Sequence, residues 1–170
     1  MTNVKEIIEE AKKLENDNKF KDAINILEEL FEKEPNSEEV KKALLETLLS
    51  HGGYLNDEFV SEHEKAIASY EKMIEIEPES YRAFYNLGIS YFNLGNIEKA
   101  LESYNKALKI KPDYKYCYYN IGYLYENVGE LEKALNFYEK ALNLDLNFIY
   151  AMTAREAVRK QIDDLKRSSI

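Results

Sequence analysis

Apolar positions along the second half of the chain follow a helical rhythm. Ala83, Leu87, Ser90, Tyr91 and Leu94 fall on one face of a 3.6-residue helix, and Gly95 and Asn96 interrupt it. Ile97, Ala100, Leu101, Tyr104, Ala107, Leu108 and Ile110 then trace a second amphipathic stretch that stops before Pro112. The same two-helix pattern returns 34 residues later. Residues 81–114 laid on 115–148 without a gap give 14 identities, among them Gly88/Gly122, Tyr91/Tyr125, Gly95/Gly129, Ala100/Ala134 and Tyr104/Tyr138. Unrelated segments of ordinary composition would share about two.

Running the frame backwards sets Pro78 level with Pro112, and Ala66 and Tyr70 level with Ala100 and Tyr104. Pro35 lies 43 residues before Pro78, so a copy over 38–80 carries nine extra residues, and 4–37 form a weaker first copy. The extra residues are expected at 51–60, between the two helices of that copy, with Ser61-x-x-Glu64 as a capping box that restarts the chain as a helix. Tyr54, Leu55, Phe59 and Val60 are too apolar for an idle solvated loop; they either fold onto adjacent helices, the reading preferred, or contact a partner. Neither helix of a copy buries its stripe alone, and stacking the copies makes one continuous core. Small residues at Gly88, Gly122, Ala100 and Ala134 let the paired helices approach closely, with large Tyr side chains around the crossing.

The stretch Phe84-x-x-Leu87-Gly88-x-x-Tyr91 followed by Ala100, Tyr104, Ala107 and Pro112 closely resembles the tetratricopeptide repeat signature. Tyr118-x-x-Ile121-Gly122-x-x-Tyr125 with Ala134, Tyr138 and Ala141 repeats it. In the two earlier copies the small place falls on Ala11 and Leu45. The resemblance implies an all-α fold: a right-handed α-solenoid of four helix-turn-helix repeats (4–37, 38–80, 81–114 and 115–148) in a single domain over 1–170. After 148 the signatures fade. Ala151, Ala154, Val158, Ile162 and Leu165 make a one-sided stripe, read as a C-terminal capping helix over 149–167, with dimerisation through the same stripe as the alternative.

Composition narrows the function. The chain has 170 residues, 45% apolar and 32% charged, and a net charge of −9. Residues 1–80 hold 10 basic and 21 acidic side chains against 13 and 11 beyond, while 12 of 14 Tyr lie beyond residue 80. An acidic chain repels a phosphate backbone, so nucleic acid is not an expected partner; Lys and Arg at 149–170 are the one stretch that would carry it. No apolar run is long enough to span a membrane. The single cysteine excludes an intrachain disulfide and fits a reducing, cytoplasmic setting. Cys117 takes the place of Ala83 in the preceding copy and reads as a small packing residue. His51 and His63 flank the insertion with Asp57, Glu58 and Glu62 nearby, but their spacing matches no ligand pattern and surface histidines are preferred. With no phosphate loop, nucleophile elbow or paired-carboxylate cleft, no catalytic residue, metal or cofactor is assigned.

The resemblance implies that the first helix of each copy lines a concave groove at the second, fifth, ninth, twelfth and thirteenth places. The first copy then offers Lys5, Ile8, Lys12, Glu15 and Asn16, and the second Glu39, Lys42, Glu46, Leu49 and Ser50. The third and fourth offer Arg82, Tyr85, Ile89, Phe92 and Asn93, then Tyr116, Tyr119, Tyr123, Glu126 and Asn127. Asn86 and Asn120 stand beside these and are read as able to pair with a peptide backbone. The expected activity is that of a non-enzymatic scaffold binding a peptide or helix of another protein at this aromatic end; self-association through the last helix or the insertion is the alternative. Tyr and Asn at these places are also what the consensus repeat carries. The Lys, Asn, Asn, Lys, Arg set with which some members hold a terminal carboxylate is largely missing, so that specialised role is rejected.

Overall fold

The computed structural model describes residues 4–168; of the single domain expected over 1–170, the first three and last two residues lie outside the described residues. The described residues form nine helices: α1 (Val4–Asn16), α2 (Phe20–Lys33), α3 (Glu38–Asn56), α4 (His63–Ile76), α5 (Tyr81–Asn93), α6 (Ile97–Ile110), α7 (Lys115–Asn127), α8 (Leu131–Leu144) and α9 (Ile149–Ser168). They pack as successive pairs, and α9 closes the stack on α8. The first helices α1, α3, α5, α7 and α9 lie side by side, each against the next. Backbones of the second helices do not approach one another; α2 and α4 meet through the Glu28–Lys72 ion pair. A layer whose members touch lies on the inside of a curve, so the first helices form the concave face.

Three of the four pairs, α3–α4, α5–α6 and α7–α8, are built on one contact. Tyr70, Tyr104 and Tyr138 on the second helices are buried, as are Ala66, Ala100 and Ala134 one turn before them. The Tyr104 ring lies so close to Gly88 that a Cβ there would meet its Cε1 at 2.3 Å, and a Cβ on Gly122 would meet Tyr138 at 2.7 Å. Only glycine admits the ring at that distance. The turns within the pairs also share one device: Asn18, Ser61, Gly95 and Gly129 hold the same place and all have positive φ (58°, 52°, 74° and 78°).

Two expectations for the second copy are corrected. The nine extra residues are not a loop over 51–60. α3 continues as helix to Asn56, and a Cβ on Gly52 would meet the buried Tyr70 ring at 2.5 Å, so Gly52, not Leu45, holds the small place. Counted from that glycine, α3 begins 14 residues earlier where α5 and α7 begin seven earlier, which adds two turns at its N-terminus; the other two residues lengthen the α3–α4 turn. The Ser61-x-x-Glu64 capping box does not form either. Ser61 is left-handed, its hydroxyl donates to the Glu58 carbonyl at 2.7 Å, and α4 starts at His63 behind Glu62 without a side-chain cap. Of the apolar residues there, Leu55 is buried, Val60 joins the core, Tyr54 packs on Phe20 at 5.3 Å, and Phe59 stands 95% exposed.

The stripe of α9 is spent on the last repeat: Ala151, Val158 and Ile162 are buried, with Val158 and Ile162 among Leu131, Ala134 and Tyr138 of α8, while Leu165 is largely exposed. Among the described residues no helix is long and apolar enough to cross a membrane.

Candidate peptide-binding groove

The concave face changes character along its length. At the N-terminal end, a cleft of about 230 Å³ between α1 and α3 is lined by Ile8, Lys12, Glu15, Glu39, Lys42 and Glu46 among others. The two extra turns of α3 border a second, open cleft of about 390 Å³ that reaches the start of α5, with Lys41, Lys42, Glu46, Leu49, Met73, Glu77, Ser80 and Arg82 on its walls. Arg82 therefore belongs to the charged end, not to the aromatic one with which its repeat groups it.

Beyond Arg82 the face is aromatic, and its rings are set by contact with each other. Tyr85 is half-buried and meets Tyr114 edge-on at 5.0 Å. Its hydroxyl accepts a hydrogen bond from Asn120 Nδ2 at 3.2 Å, tying α7 to α5. Burial, then the neighbouring Tyr114 and Cys117, push the Tyr85 phenol well above its ordinary value, so it is neutral at any working pH. Ile89 is half-buried, and Phe92 meets Tyr123 edge-on at 5.5 Å. Tyr119 lies among Tyr138, Phe148 and Tyr150, with ring centroids 5.6, 5.6 and 6.1 Å away. Tyr116 leans edge-on against Phe148 at 5.2 Å, under the Lys115 ammonium. Such edge contacts add about 0.5–1.5 kcal/mol per pair beyond area burial, which fixes ring directions before any ligand arrives. Of these side chains, Tyr116 (43%), Tyr123 (44%) and Tyr150 (68%) keep the largest exposed fractions.

The asparagines are more committed than their spacing implies. Asn86 Nδ2 donates to the Arg82 carbonyl and Asn127 Nδ2 to the Tyr123 carbonyl, both at 2.8 Å within their own helices, and Asn120 serves Tyr85. Asn93 is exposed at the end of α5. Two charged groups of this end are hydrogen-bonded as well, one of them to a neutral phenol. Glu126 accepts from the Tyr138 hydroxyl at 2.5 Å, and Lys115 donates to Asp145 at 2.5 Å, which holds the Asp145 carboxyl below the usual range.

Tyr150 extends this face beyond what the repeat signature reveals, over the buried ring of Phe148. Its signal is the period itself: Tyr150 lies 34 residues after Tyr116 and 68 after Arg82, at the second place of a further first helix. The reactive candidates are occupied structurally. His51 Nδ1 bonds Ser69 Oγ at 2.9 Å while the ring stacks on Phe20, and His63 Nδ1 bonds Asn56 Oδ1 at 3.0 Å. Cys117 is fully buried, its thiol pushed up to about 12 by burial, and its Sγ donates to the Tyr104 carbonyl at 3.3 Å.

Known proteins agree with this geometry. Models of the tetratricopeptide repeat match residues 81–114 and 116–148, and a TPR repeat model matches 61–95. The crystal structure of MamA is 25% identical with a TM-score of 0.70, over 90% of this chain and 84% of that one. The first TPR of Spaghetti (RPAP3) bound to HSP90 peptide SRMEEVD is 22% identical, TM-score 0.63, over 70% and 93% of the two chains. The Sgt2 TPR domain from Aspergillus fumigatus is 23% identical, TM-score 0.66, over 74% and 83%. No curated protein matches the chain significantly. With the repeat models together covering 61–148, and those over 81–114 and 116–148 in register with the α5–α6 and α7–α8 pairs, the chain belongs to the tetratricopeptide repeat family.

Proposed function

We propose that the chain is a non-catalytic interaction scaffold that receives a segment of another protein on the concave face formed by α5, α7 and α9. The observation that carries this reading is the convergence of Phe92, Tyr116, Tyr119, Tyr123 and Tyr150 from three successive first helices onto one surface. Rings held by their neighbours offer a large contact area at small entropic cost, and their polar tips stay wet. A family relative of the same fold holds a peptide, which supports a protein partner for this one.

The test is a Tyr123→Ala, Tyr150→Ala double variant. Both side chains are exposed, so circular dichroism and the melting temperature stay near wild type, and affinity for a partner captured from the native host falls at least tenfold. Unchanged affinity refutes the groove reading. Self-association is the competing reading. The α9 stripe is already buried on α8, so this route needs either its release or the exposed Phe59, and sedimentation of the wild-type chain at micromolar concentration decides it.

A further inference from the structure

We infer that the aromatic end of the groove takes a basic segment of its partner and seats one Lys or Arg side chain against Glu126 and the tyrosine rings beside it; this rests on the groove reading above and names the partner's chemistry. Three observations carry it. First, α7 brings a carboxylate and rings to one face. Tyr116, Tyr119, Tyr123 and Glu126 follow one another at steps of three, four and three, the spacing of a single helix face. Glu126 is half-buried there, and Tyr138, whose ring centroid lies 5.6 Å from that of Tyr119, donates its hydroxyl to Glu126 Oε2 at 2.5 Å. Burial first and Glu126 second raise the Tyr138 phenol above its ordinary value; burial, then Tyr123 and Glu126, raise that of Tyr119.

Second, this negative charge has no counter-ion. A neutral phenol donating to one oxygen leaves the unit charge in place, and among the described residues Glu126 has no ion pair and its Oε1 no hydrogen bond. Lys115 is held by Asp145, and Lys160, at the matching place of α9 34 residues on, does not pair with Glu126. A half-buried carboxylate gains more from an incoming cation than an exposed one, because less water screens the pair, and it repels an acidic segment for the same reason. Third, the rings beside it lack a cation. On the second-helix side Lys99 lies over Tyr91, Lys133 over Tyr125 and Lys140 over Phe137, at 5.2, 5.4 and 4.3 Å from the ring centroids, and Lys115 lies over Tyr116 at 5.2 Å. Among the described residues no cation of the chain lies over Tyr119 or Tyr123. The side-chain oxygen of Asn127, whose amide donates to the Tyr123 carbonyl, adds an acceptor next to Glu126 in the chain.

The experiment selects displayed random decapeptides on the full chain at about 0.15 M salt, where distant surface charges are largely screened. The most enriched sequence, fluorescently labelled and end-blocked, is titrated by anisotropy beside a version with its basic residue replaced by glutamine. The proteins are wild type, Glu126→Gln, which keeps an oxygen for the Tyr138 hydroxyl, Glu132→Gln as an exposed control on α8, and Tyr123→Leu. Expected are enrichment of Lys and Arg, and a loss of about 10-fold or more on replacing the basic residue with wild type and with Glu132→Gln. With Glu126→Gln that loss shrinks to within about 2-fold, and Tyr123→Leu weakens the basic peptide about 2-fold to 5-fold more than its glutamine version. Selected peptides without a basic residue, released by Tyr123→Ala, Tyr150→Ala, overturn the inference and leave the groove reading intact. A basic preference that Glu126→Gln and Tyr123→Leu leave unchanged overturns it by placing the cation elsewhere, and a library that yields no binder overturns it too; the groove reading is decided separately, by the native partner and the double alanine variant.

Discussion

Gly52 and Gly53 are neighbours in one helix, and alanine at the two sites is expected to change stability in opposite directions. Alanine is favoured over glycine in a helix by about 1 kcal/mol, so propensity alone stabilises both variants equally. Around Gly53 nothing lies within 4 Å of a new Cβ, and Gly53→Ala gains that whole increment. At Gly52 the Cβ would sit 2.5 Å from Cε1 and Cζ of Tyr70, about 1 Å inside ordinary contact. The Tyr70 ring is fully buried and cannot swing aside without vacating the α3–α4 core. Overpacking of that kind costs about 1–3 kcal/mol, so Gly52→Ala ends level with wild type or as much as about 2 kcal/mol below it. The difference between the two variants, about 1–3 kcal/mol, is the cleaner quantity because propensity cancels; at this chain length it is several degrees of melting temperature, at about 2–4 °C per kcal/mol. Urea midpoints with unchanged slopes measure it. Equal stabilisation by both substitutions would refute the placement of Gly52 at the helix crossing and restore the loop reading of 51–60.

The buried hydroxyl of Tyr70 is unpartnered, since the nearby Asn56 amide is engaged with Ser90 and His63, whereas Tyr138 donates to Glu126. Tyr70→Phe should therefore be neutral or stabilising by about 1 kcal/mol, and Tyr138→Phe destabilising by about 1–2 kcal/mol, both read from urea denaturation. Lys115 lowers the Asp145 carboxyl, so in acid the unfolded chain takes up that proton first: this stabilisation is complete above pH about 4, the ordinary carboxyl range, and is lost as pH falls through the lower folded value. Melting temperatures from pH 2 to 6 should fall less steeply for Asp145→Asn than for wild type. Cys117 should resist a thiol reagent at pH 8 until the chain unfolds, so a modification rate that exceeds the unfolding rate counts against its burial. Val158→Asp places a charge in the α8–α9 contact; it should detach α9 and turn a monomer into a concentration-dependent associate through the bared Leu131 and Tyr138, and a wild-type dimer that this substitution makes monomeric would show the stripe to be an interface.

Register was legible wherever both members of the Gly–Tyr contact recur at the same spacing, as in Gly88/Tyr104 and Gly122/Tyr138. It failed in the second copy because the interval from Pro35 to Pro78 counts the extra residues without locating them. The Gly52-Gly53 pair invited a turn there, since glycine punctuates loops as readily as it admits close packing. Spacing would have decided the matter: Val40, Leu44, Leu48, Gly52 and Leu55 step by four, four, four and three, a stripe no loop would keep, and all five are buried. The groove was legible as a set of aromatic places but not as a network, because the ring contacts and the Asn120 bond to Tyr85 join residues about one repeat apart.

α9 shows how one repeat period serves two ends. Its buried side keeps the register of the helices before it: Ala151 follows Ala83 and Cys117 at intervals of 34, all three without exposed surface, and Val158 follows Ser90 and Leu124 in the same way. Its groove side keeps the register too, through Tyr150 after Tyr116. What changes is the side on which a second helix would pack. The glycine place of Gly88 and Gly122 is Glu156, and the Tyr91 and Tyr125 place is Arg159. Those two side chains are drawn into ion pairs, Arg155 with Glu156 at 2.7 Å and Arg159 with Glu139 of α8 at 2.8 Å. A carboxylate at the small place bars a tyrosine from approaching as Tyr104 approaches Gly88, so α9 presents solvated charge outward while holding Tyr150 in line with the rings of α7. The helix that covers the core thus also lengthens the aromatic face by one repeat, and both roles follow from changing only the side that the second helix occupies in the repeats before it.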